Sequence, residues 1–486
     1  MKQLTGLDAS FLYMETSTNF GHVSSIAVYE RPDDPDFDPF LAGREMLSSQ
    51  LDRIEPFRRR VVEVPLGLDR PYWIEDPDFD LDYHLRHMAL PAPGTDEQLA
   101  AQVARIISRP CDRSRPLWEV YVIEGLESGD FAVLTKLHHA TIDGAAGALL
   151  TTMLLDDAPD TPLRVPGPLP EPGAVPSDPE LFVRALGGLI RQPDRAVRIQ
   201  LRMAQQIARA ARAEGASELL GAARRVFSGS RRQPLADGDA APAAPSTTAP
   251  RTSLNTMISA HRRVAFRSVS LARIKEVKTA AGATVNDVVM AACAGGLRTY
   301  FMDRDELPVE PLVGMVPVSI RTGEESEPWT NRVSGLFCQL PTHLDDPLER
   351  IRFAHDAMVD AKADWNLLPA DTMVDLAQIA PPALAERAAR VAQAFRLTDR
   401  FNPPMNLTIS NVPGPREPLY MRGARLKHYI PISTISDGGA LNITVQSYVD
   451  TLDFGLVADR DIVPDLRRLC ELCVDGIEVL AEAVGL

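Results

Sequence analysis

The chain has 486 residues, more than the roughly 250–300 residues at which a single hydrophobic core stops growing, so its length predicts two domains. Hydrophobic residues make up 45% of the chain and charged residues 24%, which is typical of globular proteins. The formal net charge of −15 disfavours binding to nucleic acid, because two polyanions repel each other.

The chain also lacks the usual signals for membranes, metals and nucleotides. No apolar run approaches the roughly 18 residues of a membrane span, and residues 1–20 contain no continuous apolar stretch of the secretory type, so we expect a cytoplasmic protein. Five cysteines favour reduced thiols, and the CxxC at residues 470–473 lies on a helical apolar stripe. No HExxH, P-loop or GxGxxG pattern is present, so we expect no metal and no cofactor.

Residues 1–178 read as an α+β domain. Short apolar or alternating runs suited to strands, such as residues 22–30, mix with helical patterns. Thr95 and Gln98 fit a capping box at the start of one helix. Two apolar runs separated by a Gly/Ser/Asp turn, between residues 117 and 139, predict a pair of adjacent strands.

Residues 179–253 predict a helical connector followed by a flexible Pro/Ala/Ser/Thr linker. Eleven arginines lie between Arg184 and Arg232 against three acidic residues. Two interpretations remain open for this segment. It is either a solvated connector or an amphipathic surface that lies on anionic lipid.

Residues 254–486 alternate strands and helices again and predict a second domain. Thr284 and Asp287 fit a capping box, and Asp346 with Pro347 suits the start of a long helix. Residues 441–459 predict a pair of strands before a closing helix.

Two adjacent histidines end the apolar run of residues 131–139. In a strand successive side chains point to opposite faces, so His138 and His139 cannot both enter one pocket. Asp143 suits a helix N-cap, and Gly144 would relieve steric limits where strand turns to helix. Residue types alone leave two interpretations: a capped helix after a strand, or one imidazole that serves as a general base.

The residues from His138 to Gly144 match the HHxxxDG signature of CoA-dependent acyltransferases and peptide-synthetase condensation domains. Other marks surround the signature in a fixed order. They are LTGLDASFLYMET, PLWEVYVIEGL, TVNDVVMAA, PVSIR, TNRVSG and NLTISNVPGPREPLY. Together they span nearly the whole chain, which therefore resembles the bacterial wax ester synthase/diacylglycerol acyltransferase family.

This resemblance implies a mixed α/β fold of two chloramphenicol-acetyltransferase-like domains with an active-site channel between them. It also implies transfer of a long-chain acyl group from acyl-CoA, a substrate, to the hydroxyl of diacylglycerol or of a fatty alcohol. Two other functions stay open: condensation on carrier-protein thioesters, and lipid binding without catalysis. Peripheral association with a membrane or lipid droplet is compatible with such acceptors, and the oligomeric state is left open.

The resemblance also assigns the catalytic residues. His139 would be the general base, and His138, Asp143 and Gly144 complete the signature. Related enzymes direct this aspartate at an arginine, and the best partner here is Arg321. The alternative for Arg321 is an exposed side chain at a strand end.

Further candidates lie in the other shared motifs. Asn286 is a candidate substrate or oxyanion ligand, and Asp287 is a candidate support of the site or simply a helix cap. Trp118 either lines the substrate site or belongs to the core. Three residues after a strand, listed here, are candidates for substrate contact or for a rigid turn: Asn411, Pro413 and Gly414.

Overall fold

The computed structural model describes residues 1–187, 249–320, 329–367, 393, 396–399 and 402–486. Residues 188–248, most of the predicted connector and linker, lie outside the described residues, and so does Arg321. Residues 178–187, where the predicted connector begins, are helical.

The first half contains the following elements: β1 (Lys2–Gln3), α1 (Gly6–Tyr13), β2 (His22–Tyr29), α2 (Pro39–Gln50), β3 (Arg59–Val62), β4 (Tyr72–Glu75), α3 (Leu81–His84), β5 (Leu85–Ala89), α4 (Asp96–Ile107), β6 (Trp118–Glu124), β7 (Phe131–His138) and α5 (Gly144–Leu154). The second half contains the following: β8 (Arg262–Ser270), α6 (Leu271–Ala281), α7 (Val285–Met302), β9 (Leu312–Ser319), β10 (Val333–Leu340), α8 (Pro347–Leu367), β11 (Leu407–Val412), β12 (Tyr420–Met421), β13 (Ala424–Ile432), β14 (Leu441–Tyr448), β15 (Thr451–Asp459) and α9 (Leu466–Ala483).

Side-chain caps fix where several helices begin, as the sequence predicts. Thr95 and Gln98 form the capping box of α4, in which each side chain bonds the other residue's backbone N–H. Thr284 and Asp287 do the same for α7. Asp346 accepts hydrogen bonds from the first turn of α8, which opens with Pro347. These predictions are confirmed.

Two six-stranded mixed sheets form the centre of the molecule. The first has the order β12-β13-β2-β7-β6-β5 and the second the order β10-β9-β11-β14-β15-β8. Most neighbours are antiparallel, but β5 runs parallel to β6, and β11 runs parallel to both β9 and β14. The predicted mixed α/β class is confirmed, and so is the antiparallel pairing of β6 with β7.

The second half of the chain supplies two strands to the first sheet. β13 pairs antiparallel with β2, with Ile430 opposite Ile26, and β12 extends the edge beyond it. The first sheet therefore includes residues 420–432 of the second half as two of its six strands. The predicted division at residues 178 and 254 follows the order of the chain but does not describe which strands share a sheet.

Glycines allow α7 and α9 to pack closely in the core of the second half. A Cβ at Gly296 would lie 2.7 Å from the backbone N of Cys473, and one at Gly476 would lie 2.7 Å from the carbonyl O of Ala292. Cys470 and Cys473 are both buried in this core, which agrees with a structural role. Among the described residues no single helix is long and apolar enough to cross a membrane; α6 and α7 meet that test only as a pair, bent by 97°.

Candidate active site

The two signature histidines lie where β7 ends and have different surroundings. Along β7, Ala132 and Leu134 pack into one core cluster while Phe131 and Val133 pack into another. His138 ends the strand and is fully buried, whereas the next residue is partly exposed to solvent. Of the two histidines, only the second therefore has solvent-exposed atoms.

His138 is held inside the protein by its neighbours. Its Nδ1 accepts a hydrogen bond from the backbone N–H of Ala140 at 3.0 Å, and its Nε2 lies 3.1 Å from Oε1 of Glu15. A Cβ at Gly21 would approach this Nε2 to 2.7 Å, so glycine is needed there. Burial alone would raise the pKa of Glu15, but its hydrogen bonds with His138, the backbone of Gly21 and Arg113 outweigh burial and lower it to about 2.

His139 is fixed on three sides. Its Nδ1 lies 2.9 Å from Oδ1 of Asn331, a residue 192 positions away in the second half. Its ring stacks on Phe11 of α1 with centroids 4.1 Å apart and planes 15° apart. Its backbone N–H donates to the carbonyl of Gly21 at 2.7 Å. The ring can therefore neither rotate nor slide without breaking a contact.

Hydrogen bonds to the first half determine which way the amide of Asn331 points. Its Nδ2 donates to Oδ1 of Asp8 at 2.7 Å and to the carbonyl of His139 at 2.6 Å. Its backbone N–H donates to the same carboxylate oxygen of Asp8 at 3.0 Å. Because both Nδ2 contacts are acceptors, the amide oxygen must be the atom that faces the imidazole.

This orientation fixes the tautomer of His139. An amide oxygen only accepts hydrogen bonds, so Nδ1 must carry the proton and Nε2 keeps its lone pair in the neutral ring. Within the described part of the chain, no protein group is hydrogen-bonded to Nε2. Burial lowers the pKa of His139, and the hydrogen bonds and the nearby Asp143 charge offset this only in part. A lowered pKa favours the neutral form of the ring at physiological pH.

Asp143 joins the signature loop to the second half. One carboxylate oxygen caps α5 by accepting from the backbone N–H of Ala146 at 2.9 Å, and the other accepts from the backbone N–H of Arg332 at 2.8 Å. It therefore holds the residue next to Asn331. The predicted pairing with Arg321 lies outside the described residues.

The expected steric reason for Gly144 is wrong. This glycine begins α5 and is exposed. A Cβ added there meets no heavy atom within 4 Å, and the residue is absent from the positive-φ glycines. Packing among the described residues therefore does not require glycine at this position. Because Gly144 has no side chain, the space beside the first turn of α5 stays empty.

The candidates in TVND lie at the start of α7. Asp287 completes the capping box and also binds Nδ1 of His355 at 2.8 Å, so it links α7 to α8. Asn286 receives a long hydrogen bond of 3.5 Å from Asn411 at the end of β11. Asn286 and Asn411 are therefore neighbours. Among the described residues no hydrogen bond joins either of them to His139.

Trp118 is a core residue, and its prediction as a substrate-binding residue is corrected. Its side chain is 1% exposed, stacks on Phe57 and His84, and donates from Nε1 to the carbonyl of Phe57 at 2.9 Å. A ring with both faces and its N–H occupied by protein has no surface left for substrate.

Gly414 shapes the turn after β11. Its backbone N–H donates to Oγ of Ser447 at 3.1 Å, and a Cβ there would lie 1.9 Å from the carbonyl O of Ser447. Only glycine fits this close approach. Pro413 beside it is exposed. These contacts support the rigid-turn interpretation, and substrate contact by this segment stays a prediction.

Sequence reasoning assigned no role to four residues that position the two histidines. Asp8, Phe11 and Glu15 all lie in the motif LTGLDASFLYMET, and Asn331 lies in TNRVSG. Both motifs contribute to the family resemblance, and this resemblance is the sequence feature that could have singled out these four residues. No local pattern shows that a loop of the second half contacts the first.

Comparisons with known proteins cover nearly the whole chain. The model of the wax ester synthase/diacylglycerol acyltransferase catalytic domain matches residues 4–289, and the model of the WS/DGAT C-terminal domain matches residues 329–481. A probable diacylglycerol O-acyltransferase of Mycobacterium tuberculosis is 36% identical over 488 residues, which cover 99% of this chain and 98% of that protein.

Solved structures show the same fold. The wax ester synthase/diacylglycerol acyltransferase from Marinobacter aquaeolei VT8 is 29% identical, with a TM-score of 0.69 and 100% of both chains covered. The first condensation domain of the calcium-dependent antibiotic synthetase, 16% identical with a TM-score of 0.55 over 99% and 96% of the two chains, shares the fold. The chain thus belongs to the wax ester synthase/diacylglycerol acyltransferase family and is an acyltransferase.

Proposed function

We propose that this enzyme transfers a long-chain acyl group from acyl-CoA to diacylglycerol, to a fatty alcohol, or to both, with His139 as the general base. The observation that carries the proposal is the hydrogen bond from Nδ1 of His139 to Asn331. Because the amide is oriented by Asp8 and by the backbone of His139, the opposite ring nitrogen is free to accept a proton.

The reaction moves one proton from the acceptor hydroxyl to His139 and then from His139 to the CoA sulfur. Nε2 of His139 takes the proton of the acceptor hydroxyl as its oxygen attacks the thioester carbonyl and forms the new C–O bond. The tetrahedral intermediate then expels the CoA thiolate as the C–S bond breaks, and the imidazolium returns the proton to sulfur. No acyl-enzyme forms, and acyl-CoA is a substrate, so the proposal needs no cofactor and no metal.

The other signature residues act through position. Asp143 holds the backbone of Arg332 and thereby the loop that carries Asn331. His138 is sealed against Glu15 and keeps the chain in place where β7 ends. We expect each to affect turnover through the placement of His139 rather than through contact with substrate.

Acceptor choice is the finer part of the proposal. The name of the 36%-identical relative refers to diacylglycerol, and that of the Marinobacter enzyme refers to wax ester synthesis as well as to diacylglycerol. We favour diacylglycerol over a fatty alcohol.

Either acceptor is scarcely soluble in water, so we further propose that the arginine-rich residues 184–232 bring the enzyme to an anionic lipid surface. Charge reversal at Arg198, Arg202 and Arg209 should then lower binding to anionic liposomes, and unchanged binding would contradict this.

Release of CoA thiol from palmitoyl-CoA tests the function directly. The assay is run without acceptor, with diolein and with hexadecanol, and the lipid products are separated by thin-layer chromatography. We expect acceptor-dependent thiol release with wild type and a loss of about 10²- to 10⁴-fold in His139→Ala. His343→Ala, which removes a partly buried histidine elsewhere, is the matched control. Full turnover in His139→Ala would refute the mechanism, and acceptor binding without thiol release would indicate a lipid-binding protein.

A further inference from the structure

A cleft between the two halves carries an unusual charge. It has a volume of about 820 Å³ and lies between α4 with the turn after it, residues 261–267 of β8 and its approach, and residues 460–471 around the start of α9. Eight arginines line it against four carboxylates. The chain as a whole has a net charge of −15, so this excess of four positive charges is a local feature that opposes the overall balance.

The carboxylates of the cleft are already paired. Glu97 binds Arg467, and Glu471 lies 3.0 Å from Nε of Arg467 and 3.3 Å from Nη2 of Arg267. The other two acidic residues each lie within 4 Å of an arginine as well. None of the four is left to neutralise the remaining arginines.

Four arginines of the cleft have no partner among the residues that the structure describes. Within the described part of the chain, no hydrogen bond or ion pair engages the side chains of Arg105, Arg109, Arg263 and Arg468. They come from both halves, from α4 and the turn after it, from β8, and from α9. Like charges gathered in one concave site repel each other, and a bound anion removes that repulsion.

We propose that this cleft binds a ligand that carries several phosphate groups. The guanidinium fork matches phosphate oxygens in paired hydrogen bonds, and a volume of about 820 Å³ lies in the range of small-ligand sites. Ala100, Ala104 and Phe266 add an apolar wall on which a flat or aliphatic part of such a ligand can rest. The shared chemistry is phosphate on a molecule the size of a nucleotide.

The floor of the cleft is connected to the candidate active site. Arg262 is buried, donates to the carbonyl of Thr18, and stands 4.9 Å from the centroid of the Phe20 ring. The next residue in this loop, Gly21, accepts the backbone N–H of His139. Thr18 and Gly21 are three residues apart and can be separated by at most about 11 Å. Arg262 of the cleft therefore binds one end of this short loop, and His139 binds the other.

Two sources of the phosphate are compatible with this chemistry: the nucleotide end of CoA, and the headgroups of an anionic lipid surface. The first rests on the proposed acyl-CoA reaction, whereas phosphate binding itself does not. The short link between the cleft and His139 favours the CoA nucleotide, because it limits the distance between the two places to one that a single extended substrate can span.

Direct binding tests the inference apart from catalysis. The variant Arg105→Gln with Arg468→Gln removes one unpaired charge from each half, and Arg352→Gln with Arg416→Gln, two exposed arginines elsewhere, is the matched control. The first titration uses adenosine 3′,5′-bisphosphate, the second uses sedimentation with phosphatidylglycerol or phosphatidylcholine vesicles, and each is run at two salt concentrations.

We expect wild type and the control to bind the bisphosphate with salt-sensitive affinity, and the cleft variant to bind about tenfold or more weakly. Loss of phosphatidylglycerol binding in the cleft variant, without bisphosphate binding in wild type, would support the lipid source. Equal binding of both probes by all three proteins, or no binding of either by wild type, would overturn the inference. His139→Ala should bind the bisphosphate normally, so failure of the proposed reaction and failure of this site are told apart.

Discussion

Removal of the Asn331 side chain should disable the base without removing it. In Asn331→Ala, Nδ1 of His139 loses its acceptor, and the ring is free to carry its proton on Nε2 instead. In that tautomer the nitrogen that faces the substrate has no lone pair and cannot accept the hydroxyl proton. The variant keeps the histidine but populates the competent form only in part.

The structure sets the size of the effect. An unsatisfied partly buried polar group costs about 1–3 kcal/mol, which corresponds to about 5- to 150-fold in an equilibrium or a rate. We therefore expect kcat of Asn331→Ala to fall about 10- to 100-fold, with little change in KM, because no substrate contact is removed. The fall should be smaller than that of His139→Ala, where the base itself is lost.

A matched control separates this effect from damage to the fold. Asn406 is also fully buried and also makes three amide hydrogen bonds, with the backbone of Val313, the carbonyl of Pro250 and the side chain of Asn255. Asn406→Ala should lower the melting temperature about as much as Asn331→Ala, yet leave kcat per folded molecule close to wild type.

The double variant provides the decisive result. Steady-state turnover of palmitoyl-CoA with diolein is measured for Asn331→Ala, His139→Ala and both together. Because Asn331 acts only through the imidazole, its removal should cost nothing further once His139 is alanine. The reasoning is refuted if the two losses add, if Asn406→Ala lowers kcat equally, or if Asn331→Ala turns over within about twofold of wild type.

Three further predictions concern His139, Trp118 and Gly414. Because burial lowers the pKa of His139 and the neutral ring is the active form, kcat/KM should stay high as the pH falls through 6.5 and decline only below it; an acid limb centred at or above 6.5 would contradict this. Trp118→Phe loses the hydrogen bond to Phe57 and should lower the melting temperature while KM for palmitoyl-CoA stays unchanged, whereas a large rise in KM would restore a substrate role. Gly414→Ala should lower the melting temperature markedly, since its Cβ would collide with the carbonyl of Ser447, and a wild-type melting curve would show that this turn can move.

Features that depend on neighbouring residues were predictable from the sequence. The burial of His138 beside a partly exposed His139 agrees with the alternation expected at the end of a strand, and the caps of α4 and α7 follow from residue types three positions apart. The pairing of β6 with β7 follows from two apolar runs and a short turn. In each case the interacting groups lie close together in the chain, so local geometry alone decides the outcome.

Features that join the halves were not predictable. Asn331 is one polar residue in a loop, and nothing near it indicates that its amide meets His139, which lies 192 positions away in the chain. The entry of β13 into the first sheet likewise depends on which exposed strand edge is nearest. The sequence of a single apolar strand does not identify the strand with which it pairs. Trp118 was ambiguous for the same reason, because its partners Phe57 and His84 come from separate segments.

Assembly of the two halves and activation of the base depend on the same contacts. Residues 1–187 contain both histidines and Asp143, yet without the second half Nδ1 of His139 has no Asn331 to accept its proton. Asp8 would also face no amide, and β2 would lose β13 and present a bare strand edge. The HHxxxDG signature thus supplies the imidazole, but the hydrogen bond that leaves its Nε2 unprotonated comes from a loop on the other half. A change in how the halves meet should therefore alter turnover even where every residue of the signature is unchanged.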